Sequence, residues 1–85
     1  MIQLLIKNSI ITAFPNPTLG NFEITNLNNL NNVIAAIHDI KGRLVSKKEY
    51  NVVNRKITLS LGSEVKGIYS VKLDSNKKIV KIVKY

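Results

Sequence analysis

The clearest order in this chain is an alternation of apolar and polar positions with a period of two. Tyr69, Val71 and Leu73 fall on one side, and Ser70, Lys72 and Asp74 on the other. Successive side chains of a strand point to opposite faces, so this segment reads as a strand buried on one side. Asp74-Ser75-Asn76-Lys77 follows. Its short polar side chains bond their own backbone and tolerate left-handed conformations, which predicts a hairpin turn. Lys78 to Tyr85 then returns as a second strand. Ile79, Ile82 and Val83 would also fit one face of a helix, but four β-branched residues in five positions favour the strand.

The same period recurs upstream. Ile57, Leu59 and Leu61 alternate with Lys56, Thr58 and Ser60, and Phe22 and Ile24 with Glu23 and Thr25. Ile10 to Phe14 is a short β-branched run that stops at Pro15. Val33 to Ile37 is apolar on both faces, which predicts a central strand covered on both sides or a strand over a tight spot. Arg43 to Tyr50 is mostly polar beyond Leu44 and Val45 and reads as an exposed return strand. Between these runs lie strong breaks. Pro15-Asn16-Pro17-Thr18-Leu19-Gly20 combines two residues of fixed φ with one glycine, a rigid preformed turn. Asp39-Ile40-Lys41-Gly42 predicts a second hairpin turn, and Leu61 to Gly67 a crossover. Gly20, Gly42 and Gly67 are expected where a side chain is unwelcome.

About seven short strands with no amphipathic helix describe an all-β fold, an antiparallel β-sandwich of immunoglobulin-like size. Residues 10–85 form its one domain. Residues 1–9, apolar without a firm period, are a linker remnant or an edge strand. The inward positions are Ile57, Leu59, Leu61, Tyr69, Val71 and Leu73, met by Phe22, Ile24 and Ile37 from other strands.

Charge changes this picture at one end. The net charge is +8 over 85 residues. Residues 1–40 hold Lys7 against Glu23 and Asp39, whereas residues 41–85 hold twelve Lys/Arg against Glu49, Glu64 and Asp74. A basic half fits nucleic acid, an anionic membrane surface or an acidic protein partner. Lysines on an exposed face and edge also keep sheets from pairing edge to edge. Only Tyr50, Tyr69 and Tyr85 are aromatic in that half, and Tyr69 is on the apolar face, so a base-stacking platform is not built. No stretch approaches the ~20 apolar residues of a membrane span, and the N-terminus lacks the layout of a signal peptide.

Catalytic chemistry has little to work with. There is no cysteine, and His38 is the sole histidine, without a nucleophile in a context that suggests a dyad. The carboxylates are scattered and have no metal-ligand spacing. The reading is a non-enzymatic domain with no cofactor and no metal.

Three blocks stand in order along the chain. Phe14-Pro15-Asn16-Pro17 with Gly20 comes first, then Ile37-His38-Asp39-Ile40-Lys41-Gly42-Arg43-Leu44-Val45, then Leu61 through Val65-Lys66-Gly67-Ile68-Tyr69-Ser70-Val71. A lysine-rich strand closes the series. In this order the chain resembles the type A C-terminal sorting domain of cargo proteins of the Bacteroidetes type IX (Por) secretion system, over roughly residues 10–85. His38 and Phe14 stand where tyrosine is common in that family. The resemblance implies an immunoglobulin-like seven-strand sandwich that serves as an address for a cargo protein. Such a protein crosses the periplasm, engages the outer-membrane translocon and reaches the cell surface. There a sortase-like peptidase typically removes the domain.

The family motif falls on Pro15, Asn16, Pro17, Gly20, Asp39, Gly42, Gly67, Ile68 and Tyr69. The recognition stretch falls on Lys77, Lys78, Val80, Lys81, Ile82, Lys84 and Tyr85. An exposed terminal edge strand would pair with a partner sheet, steered by its lysines. It would also allow a weak homodimer through edges. Signal peptide and passenger are absent, so the expectation is a C-terminal fragment whose N-terminal cargo lies elsewhere. The competing reading is a structural or adhesive immunoglobulin-like domain of a surface protein.

Overall fold

The computed structural model describes residues 11–27, 31–74 and 78–85. The expectations for residues 1–9, for the Ser75 to Lys77 turn and for Lys77 itself lie outside the described residues. Seven strands form, β1 (Thr12–Phe14), β2 (Asn21–Thr25), β3 (Asn32–Asp39), β4 (Leu44–Asn51), β5 (Ile57–Ser60), β6 (Gly67–Leu73) and β7 (Ile79–Lys84). No helix forms among the described residues. The strands make two antiparallel sheets, of order β1-β2-β5 and β4-β3-β6-β7. The second half of the terminal hairpin is therefore a strand, as its β-branched content required.

The alternating positions meet between the sheets. Phe22, Ile24, Ile57, Leu59 and Leu61 come from the smaller sheet and its exit. Val33, Ala35, Ile37, Tyr69, Val71, Leu73 and Ile82 come from the larger, and Leu27 closes the far end; all are buried. Cross-strand register places Phe22 opposite Leu59 and Ile37 opposite Val71, so each inward row is continuous. Lys72 points out, so the period-two phase is correct. Fully burying one such aliphatic side chain contributes ~1.5–3 kcal/mol, and this core is the main source of stability.

β3 is central in its sheet, between β4 and β6. Its outward residues Ile34 and Ala36 are half-buried, and no further layer covers them among the described residues. Ala36 lies between Lys47 and Lys72 in register, whose aliphatic stems shield it. The apolar content of both faces thus reflects neighbouring side chains and not a covering layer. β4 pairs with β3 through a bulge near Ile37, and this places the fourth strand on the larger sheet. In the constant-type immunoglobulin arrangement it sits with the other sheet.

The turns follow their chemistry. Asp39 organises the β3–β4 turn, with Oδ1 accepting from the Lys41 and Arg43 amides at 3.0 and 2.9 Å. Its Oδ2 accepts from Arg43 Nε at 2.8 Å. Gly42 has φ 86°, a left-handed conformation that a side chain would strain. Gly20 and Gly67 lie at the margin of that region (φ 155° and 157°), and open space or ordinary van der Waals distances surround all three. Conformation, not crowding, is what these sites ask of glycine.

Candidate functional site

The antiparallel connections bring the three sequence blocks to one end of the sandwich. β2 and β6 begin there, β1, β3 and β5 finish there, and the chain's last residue arrives there with β7. The 15–20 loop, the 40–43 turn and the 61–66 crossover are therefore neighbours.

The 15–20 loop is ordered because it pairs with the terminal strand. Both X-Pro bonds, Phe14-Pro15 and Asn16-Pro17, are cis. Asn16 Nδ2 donates to the Lys81 carbonyl at 2.9 Å, and the Val83 amide donates to Asn16 Oδ1 at 2.9 Å. One side-chain amide thus supplies the donor and acceptor that a neighbouring strand would supply from its backbone. The main chain continues the pairing. Thr18 N–H donates to the Val83 carbonyl (2.8 Å), and Tyr85 N–H donates to the Thr18 carbonyl (3.0 Å). Thr18 is buried, with its hydroxyl donating to the Asn21 carbonyl (2.6 Å) and accepting from the Gly20 amide (3.0 Å). Threonine at this position turns the chain from the clasp into β2. The outer edge of β7 was expected to be open. Over its C-terminal half it is occupied by the loop, and only the stretch from Ile79 to the Lys81 amide stays unpaired among the described residues.

β7 divides its side chains between three tasks. Ile82 is fully buried and Val80 packs half-buried against the core. Lys84, in phase with them, is half-buried, and its ammonium donates to the Gly62 carbonyl at 3.2 Å and to the Glu64 carbonyl. It is a strut to the crossover, not one of the free charges that the lysine run implied. Lys78, Lys81 and Tyr85 are exposed. So is Ile79, at 66% of its surface. Ile79 and Lys81 are two residues apart in a strand, so they present on one face, outward from the larger sheet.

Tyr69 fixes the crossover from below. Its ring is buried in the core, and its hydroxyl donates to the Val65 carbonyl at 2.5 Å. This bridge ties the start of the sixth strand to the preceding corner, in the manner of a tyrosine corner. Burial pushes the phenol above its ordinary value, with Glu64 adding in the same direction. Asp39, beside the Arg43 guanidinium, is held below the ordinary carboxylate range. Gly20 completes the end by accepting the Leu61 amide at 2.8 Å.

His38 lies on the outer face of β3, beside Leu44 and Ser70 in register. No group of three His, Asp or Glu side chains that would hold a metal is found among the described residues. No helix among them is long and apolar enough to cross a membrane.

Fold and site together define a small β-sandwich whose distinctive chemistry is at one end and on one terminal strand, a recognition domain by construction. The chain belongs to the family of secretion system C-terminal sorting domains, whose profile it matches over residues 12–85. Its function is that of the family, a C-terminal sorting signal for type IX secretion. No curated protein shows a significant similarity to it.

Proposed function

We propose that the outer-membrane type IX translocon reads this domain chiefly through its terminal strand. On this reading the domain itself is non-catalytic. It is the address of a longer protein whose cargo precedes residue 10, with residues 1–9 as the connecting linker. The cargo passes through the periplasm, and a sortase-like peptidase at the surface separates it from the domain. The observation that carries the reading is the division of labour in β7. Ile82 and Lys84 tie the strand to the fold, while Ile79, Lys81 and Tyr85 are presented outward. Exposed lysines contribute little to folding but govern encounter and partner choice.

The test is a periplasmic reporter fused to residues 10–85 in a type IX-competent host. Lys81→Glu is expected to melt within about 4 °C of the parent, since a surface substitution changes stability by less than ~0.5 kcal/mol. Surface display should fall sharply. Full display with an intact fold would refute Lys81 as the address and transfer the role to backbone pairing or to the 15–20 loop. An edge-paired homodimer remains available along β4, but Lys47 and Lys48 there oppose a second copy. Light scattering on residues 1–85 and 10–85 reads the mass directly, and a dimer of either would overturn that expectation.

A further inference from the structure

The family motif is more than scaffolding. Of the large exposed hydrophobic side chains among the described residues, all but Val53 and Ile79 sit at the motif end. Leu19, Ile40 and Val65 are the most open, at 82%, 73% and 76% of their surfaces. Each stands on a different loop, and Tyr85 adds an aromatic ring from the chain terminus. The 61–66 crossover separates two clefts. One is lined by Pro17, Leu19, Gly62 and Tyr85, and the other by Ile40, Lys41, Arg43, Val65, Lys66 and Ile68.

We infer that this end is a second docking surface, which receives an apolar protein surface with acidic groups at its rim. This deepens the sorting reading and rests on it, because the partner is taken to belong to the secretion machinery. Four observations favour it. Large exposed apolar residues clustered at one end mark an interaction site, whereas scattered ones do not. Leu19, Ile40, Val65 and Tyr85 come from four separate segments, so a partner seated on this end would meet several apolar anchors at once. Lys41, Arg43 and Lys66 line the second cleft against Asp39 and Glu64, which leaves it a positive excess complementary to an acidic rim. The loops are also preorganised. Asn16 and Thr18 clasp β7, Leu61 bonds Gly20, Lys84 braces the crossover and Tyr69 holds Val65, so little ordering cost remains on binding. Clefts between rigid loops accept protruding side chains. A bilayer surface would meet the loop tips and leave the clefts empty, so a protein fits better than a lipid headgroup region.

The two surfaces then act differently. Lysines of β7 govern approach, and the apolar end governs how long the partner stays. The measurement compares two variants in the reporter fusion. Leu19→Ser/Ile40→Ser/Val65→Ser removes the apolar tips, and Val53→Ser removes an exposed hydrophobic away from both surfaces. All of these positions are exposed, so both variants should melt close to the parent. The end variant is expected to lose surface display by about tenfold or more, as truncation of clustered anchor residues does. The control should keep most of its display. Equal display of the end variant and the parent would overturn the inference while leaving the sorting function intact. Failure of the parent fusion to reach the surface would overturn the sorting reading and this one with it. Two further arms test other occupants. Co-sedimentation of residues 10–85 with vesicles of phosphatidylglycerol and phosphatidylcholine, abolished in the end variant, would assign the surface to lipid. A concentration-dependent dimer in light scattering, abolished in the same variant, would assign it to a second copy. Either result would refute the protein partner proposed here, and the expected result is neither.

Discussion

Asn16 makes the sharpest test of how the terminal strand is held. Its amide makes two hydrogen bonds to the β7 backbone, each 2.9 Å long and both at the surface. A typical intramolecular hydrogen bond contributes ~0.5–1.5 kcal/mol net, and water replaces part of it when the site is exposed. Asn16→Ala should therefore cost about 1–2 kcal/mol, which in a domain of this size lowers the melting temperature by roughly 5–10 °C. Thr18 and Tyr85 keep their backbone bonds, so the loss should be local before it is global. Hydrogen exchange at the Val83 amide should accelerate more than exchange at the β3 amides of the sheet centre.

Asn16→Asp adds a check on geometry through its sign. An ionised carboxylate still accepts from Val83, but it sets its second oxygen against the Lys81 carbonyl, which needs a donor. The protonated acid restores that donor, so the clasp geometry favours the acid form of this carboxyl. A group with a raised folded pKa gives stability when protonated and loses it as pH rises through that pKa. Asn16→Asp should thus gain on Asn16→Ala as pH falls towards 4, and melting curves at pH 4 and 7 compare them. Melting of Asn16→Ala within about 1 °C of the parent, with Val83 exchange unchanged, would refute the clasp as a source of stability.

Lys84→Met keeps the stem and removes the ammonium from the Gly62 and Glu64 carbonyls. It should cost about 1 kcal/mol by denaturant titration, whereas Lys81→Met should cost less than ~0.5 kcal/mol. Tyr69→Phe should cost about 1–2 kcal/mol by the same titration, because it leaves the Val65 carbonyl without its donor. The parent holds its phenol above the ordinary value, so that part of its stability is intact below the unfolded tyrosine pKa and is lost as pH rises through the folded one. The stability gap between parent and Tyr69→Phe should therefore narrow above pH ~10. A chain ending at Lys81 loses buried Ile82 and both backbone bonds between the terminal strand and Thr18, and circular dichroism should show no cooperative melt; a cooperative transition within a few degrees of the parent would refute this.

Much of the fold is visible in local periodicity, and much of the site is not. Ile57, Leu59, Tyr69, Val71 and Leu73 declare their faces because strand geometry repeats every two residues, and burial acts on each of them independently. The clasp has no such local signature. Asn16 meets Lys81 across 65 positions, and nothing within a window around either residue encodes the other. Pro15 and Pro17 announce a rigid turn, but not what the asparagine between them holds. Lys84 could be assigned to the inward side from its phase with Val80 and Ile82, yet its ammonium lands on carbonyls of a loop that the phase says nothing about. Ile79 shows the reverse case. Its phase with Lys81 places it outward, although it is apolar.

If the terminal strand is the address, as proposed above, address and fold share the same atoms, and this limits how the two can be separated. β7 gives Ile82 to the core, the Lys84 ammonium to the crossover, and the Lys81, Val83 and Tyr85 backbone to the loop around Asn16. Removing the strand therefore removes the closure of the sandwich, and lost sorting after truncation is no evidence for a linear signal. The bonds that hold the 15–20 loop against β7 run between residues 16–18 and 81–85, so the cleft shared by Leu19 and Tyr85 exists only when both stretches are in place. Loop-closure entropy across that separation has to be met before the contacts reward it. Leu19 and Tyr85 then share one cleft through a closed sandwich and not through proximity in sequence. A partner that binds there discriminates a completed, folded domain from an unfolded or shortened one, with no need to inspect the cargo ahead of it.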